Sequence, residues 1–149
     1  GYNWRMSSMT AALGLSQFDK LEKNIKLRKT HAKYFSKRLT RFSEIKLPLE
    51  PNDRKHVYQL YTIRLENSKI RNSLQKFLSK SGIMTKIFFD PVHKYGFYKI
   101  NNSYQKNFLS TTNIVSNQAL SLPLFPTLTN EEKSFICDKI SQFFEENSG

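Results

Sequence analysis

Between Ser7 and Phe42 the apolar positions Phe18, Leu21, Ile25, Ala32, Phe35, Leu39 and Phe42 recur at steps of three and four, with Arg28 the only break in the seam. That spacing is one face of a helix. No proline interrupts it, so one long helix or two nearly collinear ones are expected, capped by Ser7 or Ser8. Gly14 is tolerated there or marks a kink. Pro48, Pro51, Asn52 and Asp53 then break the chain. His56 to Leu65 alternates as a strand, with Val57, Tyr61, Ile63 and Leu65 on one face and Tyr58, Leu60 and Thr62 on the other. Ser68 to Ser81 returns to helical spacing through Ile70, Leu74, Phe77 and Leu78, and Gly82 is placed to stop it. Ile83 to Phe89 reads as the next strand, ended by Asp90-Pro91.

From Val92 to Ser110 the chain is aromatic and polar, with His93, Tyr95, Phe97, Tyr98 and Tyr104, and no period predicts its structure. A short helix over Thr111–Asn117 and a short strand over Ala119–Leu122 follow, the latter halted by Pro123 and Pro126. Thr129 and Glu132 have the spacing of a capping box, with Glu131 also favourable at a helix N-terminus. The helix they open turns Phe135, Ile136, Ile140, Phe143 and Phe144 to the core, and Glu145 to Gly149 should fray. The element order predicts an α+β fold, or α/β layer, in which helices cover a small sheet.

A length of 149 residues allows one domain with a real core. The single cysteine, Cys137, excludes an internal disulfide framework and a thiolate zinc cluster, and favours a reducing, cytoplasmic setting. No apolar run approaches the roughly 18 residues of a membrane span, and no signal peptide opens the chain. The net charge of +12 adds one question. Between Lys20 and Arg41 nine cations, Lys20, Lys23, Lys26, Arg28, Lys29, Lys33, Lys37, Arg38 and Arg41, face only Asp19 and Glu22. This is either the solvated face of a helix or the footprint of a basic nucleic-acid or polyanion-binding module.

Chemical motifs are sparse. His31, His56 and His93 fall on separate elements, and there is no HExxH, no GxGxxG and no phosphate loop. Cys137 lies in an apolar helical pattern, where a small buried residue is the usual case.

Three stretches nevertheless carry a resemblance. Gly1-Tyr2-Asn3-Trp4-Arg5-Met6, continuing through Ala11-Ala12-Leu13-Gly14-Leu15 to Gln17 and Leu21, resembles the G-x-N-x-R-M segment and following helix of the DegT/DnrJ/EryC/StrS sugar aminotransferases. Gly82-Ile83-Met84-Thr85, then Phe89-Asp90-Pro91-Val92-His93, is similar to that family's G-I-x-T…P-x-H segment. Leu120-Ser121-Leu122-Pro123-Leu124-Phe125-Pro126, then Leu128-Thr129, is similar to its LSLP-x-x-P-x-L-T motif. His56-Val57-Tyr58 stands where the family has an H-x-Y-x-x-Y strand. The segments occur in the family's order over nearly the whole chain.

The resemblance implies the small C-terminal domain of the aspartate-aminotransferase-like fold (fold type I), preceded by a long interdomain helix. On that reading residues 1–43 are the helix and 44–149 the small domain. A chain that opens with Gly1 rather than Met is then expected to be a piece of something longer. The family's Schiff-base lysine and the aspartate that pairs with the cofactor ring lie upstream of the G-x-N-x-R motif, so no lysine here takes the catalytic role. The parent is implied to use pyridoxal phosphate, to pass nitrogen from glutamate to a keto-sugar nucleotide in polysaccharide or amino-sugar biosynthesis, and to act as a homodimer. This piece alone is expected to be inactive and to bind no cofactor. The resemblance assigns Asn3, with Arg5 beside it, to the cofactor phosphate of the neighbouring subunit. It sets His93 at the sugar-nucleotide pocket, with Tyr95 and Thr85 as lining residues. Each has an ordinary alternative: a helix-entry asparagine, a turn histidine, a strand threonine. A regulatory or scaffold homologue without catalysis is the remaining alternative.

Overall fold

A computed structural model describes residues 2–101 and 109–147, with residues 99–101 described by backbone alone. Helices α1 (Ser8–Phe18) and α2 (Leu21–Leu39) open the fold. Strand β1 (Tyr61–Arg64), helix α3 (Ser68–Lys80), a 3-10 turn at Val92–Lys94, α4 (Gly96–Asn101), α5 (Ser110–Gln118), β2 (Ala119–Leu122) and α6 (Asn130–Glu146) follow. The α+β expectation holds, with less sheet than the sequence suggested.

The first helical run is two helices, parted at Asp19-Lys20. Ser7 caps α1, its hydroxyl accepting from the Thr10 amide at 3.3 Å. No residue of α1 is buried; Met9, Leu13, Leu15 and Phe18 all face outward. The seam enters the core only in the second half of α2, at Ala32, Phe35 and Leu39. Arg28 breaks the seam because its guanidinium reaches the carbonyls of Tyr58 (3.5 Å) and Gln59 (3.3 Å).

The sheet is one antiparallel pair, with Tyr61 opposite Leu122 and Ile63 opposite Leu120. These four side chains are buried, and on the other face the Thr62 and Ser121 hydroxyls meet at 2.7 Å. Single bridges extend it on both sides, Lys46 against Arg64 and Lys86 against Ser121. The strand expected over His56–Leu65 therefore shrinks to Tyr61–Arg64. Tyr58 has φ 49°, a left-handed conformation costly for a bulky residue, and its amide donates to His56 Nδ1 at 2.8 Å. Those local bonds, with Arg28 on the carbonyls, occupy groups a strand would pair. Val57 and Leu60 are consequently exposed. The strand expected over Ile83–Phe89 shrinks to the bridge at Lys86; Phe89, at φ 45°, bends the chain away.

Helix α3 ends as expected at Gly82, whose φ of +78° suits glycine. The Gly82 amide donates to Ser79 O at 3.0 Å and the Ile83 amide to Leu78 O at 2.9 Å, a Schellman closure. The short helix around Thr111–Asn117 and the strand Ala119–Leu122 stand where they were expected. Part of the aromatic segment is helical in α4, while Tyr104 lies outside the described residues. Helix α6 carries the full capping box: Thr129 Oγ1 accepts from the Glu132 amide at 3.1 Å, and Glu132 Oε2 accepts from the Thr129 amide at 2.8 Å. Ile136, Cys137, Ile140, Phe143 and Phe144 are its core face. Phe135, expected there, is 46% exposed, because the buried arc centres one step further round on Lys133, Ile136 and Ile140. The helix also runs to Glu146, with Asn147 Nδ2 donating to Phe143 O at 2.6 Å, so the expected fraying does not begin at Glu145.

Helices α2, α3 and α6 pack around the sheet, and Phe35, Leu39, Tyr61, Ile63, Leu74, Leu120 and Ile140 are wholly enclosed. Fully burying a side chain of this size stabilises by about 1.5–3 kcal/mol before entropy is subtracted.

Candidate functional site

The segment before α1 is fully exposed and carries two of the expected site residues. Arg5 N donates to Asn3 O at 3.0 Å, and Arg5 Nε donates to Asn3 Oδ1 at the same distance. The rings of Tyr2 and Trp4 stack beside this turn, 5.3 Å apart. With its oxygen engaged by Arg5, the Asn3 amide still has N–H groups to donate, as does the far end of the guanidinium. No carboxylate occurs before Asp19 in the sequence. Among the described residues no ion pair engages Arg5, and an exposed amide and guanidinium of this kind are suited to an anionic oxygen such as that of a phosphate.

His93 lies in the 3-10 turn that follows Pro91, where Lys94 N donates to Pro91 O at 2.8 Å. Its ring is half-buried, and Nε2 meets Asn113 Oδ1, on α5, at 3.1 Å. With Nε2–H donating there, Nδ1 is left as an acceptor for a ligand hydroxyl. Tyr95 stands two residues on, partly exposed, its amide donating to Val92 O. One turn thus presents His93 and Tyr95 together. Thr85 stands elsewhere: it borders a cavity of about 460 Å³ with Gln75, Lys76, Ser79 and Lys80, whose lining includes neither His93 nor Tyr95. Its buried hydroxyl has no hydrogen-bond partner among the described residues.

Several structural ties were not legible in sequence. Asn113, which orients His93, is twenty positions away, and no motif marks it. Arg71 is buried on α3 and donates to Asn72 Oδ1 (2.8 Å), Ala119 O (3.3 Å) and Ser116 O (3.4 Å). Burial lowers its pKa, an effect Asp90 opposes. His31, set among lysines in the sequence, is buried, with Nε2 3.2 Å from Pro126 O and Nδ1 3.2 Å from Lys133 Nζ. Since the ammonium can only donate, Nδ1 accepts and Nε2–H donates to the carbonyl. This gives the second proline of the L-S-L-P-x-x-P segment a structural use.

Among the described residues no group of three or more His, Cys, Asp or Glu side chains could hold a metal ion, and no helix is long and apolar enough to cross a membrane. Burial pushes the Cys137 thiol up to about 12, so it is no nucleophile.

Known proteins resemble this chain in sequence and fold. The chain is 30% identical over 146 residues to GDP-perosamine synthase of Escherichia coli O157:H7, a match over 98% of this chain and 38% of that protein. It is 31% identical over 147 residues to the pleiotropic regulatory protein of Geobacillus stearothermophilus, covering 97% of this chain and 38% of the relative. The chain thus spans well under half the length of these relatives. A crystal structure of a DegT DnrJ EryC1 StrS aminotransferase from Brucella abortus superposes with a TM-score of 0.85 at 27% identity, covering 96% of this chain and 37% of that one. Spr1654 of Streptococcus pneumoniae, a sugar aminotransferase by its description and solved in a PLP form, shares the fold with a TM-score of 0.85 at 23% identity, over 98% and 38% of the two chains. The sequence profile of the DegT/DnrJ/EryC1/StrS aminotransferases matches residues 1–141, and this chain belongs to that family.

Proposed function

We propose that this chain is the C-terminal part of a pyridoxal-phosphate-dependent nucleotide-sugar aminotransferase, acting with a larger domain that supplies the catalytic lysine. The observation that carries the reading is the family match over residues 1–141, with the motif-borne Asn3 and Arg5 presented as exposed donors at its start. The cofactor, when bound, supplies the electron sink for moving an amino group from glutamate to a keto-sugar. Asn3 donates an amide N–H to its phosphate, and Arg5 holds that amide by its oxygen and adds charge. His93, fixed by Asn113, offers Nδ1 to a substrate hydroxyl, and Tyr95 flanks it. Thr85 stands on its own cavity and is the weakest of the assigned lining residues. The exposed apolar side chains of Tyr2, Trp4, Met6, Met9 and Leu13 fit burial against the larger domain or a dimer partner, since an apolar face this continuous is normally covered.

The basic-module alternative loses support from the ion pairs. Arg38 and Arg41 are paired with Asp138 and Glu145, Lys29 with Glu50, and Arg28 turns toward backbone carbonyls. The cation run of α2 is therefore interrupted rather than a continuous track for a polymer.

The test is a chimera that joins the preceding portion of the E. coli relative to this chain at Gly1. It should retain pyridoxal phosphate and aminate a keto-sugar nucleotide with glutamate, while this chain alone does neither. Asn3→Ala in the chimera should weaken cofactor retention by about tenfold, the loss of one charge-assisted bond. A folded chimera that holds the cofactor yet aminates no nucleotide-linked sugar would sink the proposal.

A further inference from the structure

We propose that the groove between α2 and the segment before β1 binds a compact diphosphate-bearing anion, at a site distinct from the Asn3–Arg5 turn and from His93. The groove encloses about 590 Å³. Lys26, Lys29 and Lys33 enter it from α2, and Lys55 comes from the other side. Only Lys29 is neutralised, by Glu50 at 2.6 Å. Lys26, Lys33 and Lys55 make no ion pair among the described residues. One carboxylate, Glu22, also lines the groove, a helical turn before Lys26. Unpaired ammonium groups drawn from two elements into one concavity repel one another, and a small polyvalent anion relieves that repulsion.

Shape and neighbours set the class of ligand. The cation run stops being available beyond Lys37, because Arg38 and Arg41 are committed to α6. In the groove itself, Lys26, Lys33 and Lys55 bring charge from two elements into one concavity, which suits a compact anion better than an extended backbone. Ile25 and Val57, the latter 49% exposed, give the groove an apolar side that a nucleoside or sugar attached to the diphosphate could cover. The Glu50 carboxylate is held below its usual range by the Lys29 hydrogen bond and by the His56 amide, so it stays charged and fixes the Lys29 stem at the rim. Site and ligand class rest on these cations and the apolar side beside them, and do not depend on the aminotransferase reading.

The test is calorimetric titration of the chain with inorganic pyrophosphate and with GDP at about 0.15 M salt, where diffuse surface attraction is largely screened. Each should bind saturably at one site, and GDP should bind more tightly where the apolar side takes the nucleoside. The triple variant K26A/K33A/K55A should bind about tenfold more weakly or worse. K46A/K69A/K86A, which removes equal charge from exposed positions outside the groove, should stay within about twofold of the parent. All three proteins are compared by circular dichroism, so that unfolding is not mistaken for lost binding. Equal losses in both triple variants would reduce the effect to net charge and overturn the proposal. So would the absence of saturable heat with either probe, or displacement of pyrophosphate by a single-stranded oligonucleotide at lower concentration.

Discussion

Arg71 offers a sharp test of how α3 is tied to the junction of α5 and β2. The residue is buried, at 7% exposure, and its guanidinium reaches the carbonyls of Ser116 and Ala119, where α5 passes into β2. Arg71→Met keeps most of the stem volume but leaves both carbonyls without this donor. A buried acceptor stripped of its partner costs about 1–3 kcal/mol. Both carbonyls are only part-buried and both contacts are long, at 3.4 and 3.3 Å, so the lower end applies to each. The sum is about 2 kcal/mol, reduced somewhat because a charged group no longer has to be held out of water. In urea unfolding followed by far-UV circular dichroism, the midpoint should fall with the slope unchanged. The Tm should drop by roughly 4–8 °C, from the usual response of a chain this size. Arg71→Lys should recover part of the loss at most, since an ammonium cannot fork to two carbonyls and Asn72 together. A methionine variant within about 0.5 kcal/mol of the parent would refute the assigned role.

Thr129→Ala should cost about 1 kcal/mol by removing the acceptor of the Glu132 amide, read as a shift in urea midpoint. Parent-like stability would mean that water replaces the cap fully. Alkaline stability should fall as pH rises from about 9 toward 12. The Cys137 thiol is raised from 9.0 and the Tyr61 phenol from 10.0, each to about 12 by burial, so the unfolded chain ionises first and gains on the folded one. Stability from both groups is intact below their unfolded values, and Cys137→Ala/Tyr61→Phe should flatten that limb of the pH profile. An unchanged slope would contradict the burial argument.

What the sequence reveals here depends on whether the determining contact is local. The capping box at Thr129 and Glu132 and the stop at Gly82 involve residues within a few positions, and the sequence places both correctly. β2 likewise stands on its expected bounds, because prolines delimit it. The first overextended strand failed partly for a non-local reason, the second because the chain bends away at Phe89. Alternation marks Val57 to Leu65, yet Arg28, some thirty residues earlier, takes the carbonyls of Tyr58 and Gln59. Phe135 failed because the buried arc of α6 is chosen by its neighbours α2 and α3. At the candidate site, Asn3, Arg5 and His93 were readable only as parts of motifs, and their chemistry comes from partners. The Asn113 contact that orients His93 has no local signature at all.

The packing of α6 has a consequence for how this polypeptide is made. Arg38 meets Asp138 and Arg41 meets Glu145 across about a hundred residues of chain, and five core side chains belong to α6 alone. A nascent chain leaving the ribosome therefore holds α2 and β1 with part of their apolar surface unsheltered until α6 emerges. Translation pauses before residue 130 would lengthen the window for aggregation or chaperone capture, and a stop between codons 130 and 136, which removes every core residue of α6, should be as damaging as an early one.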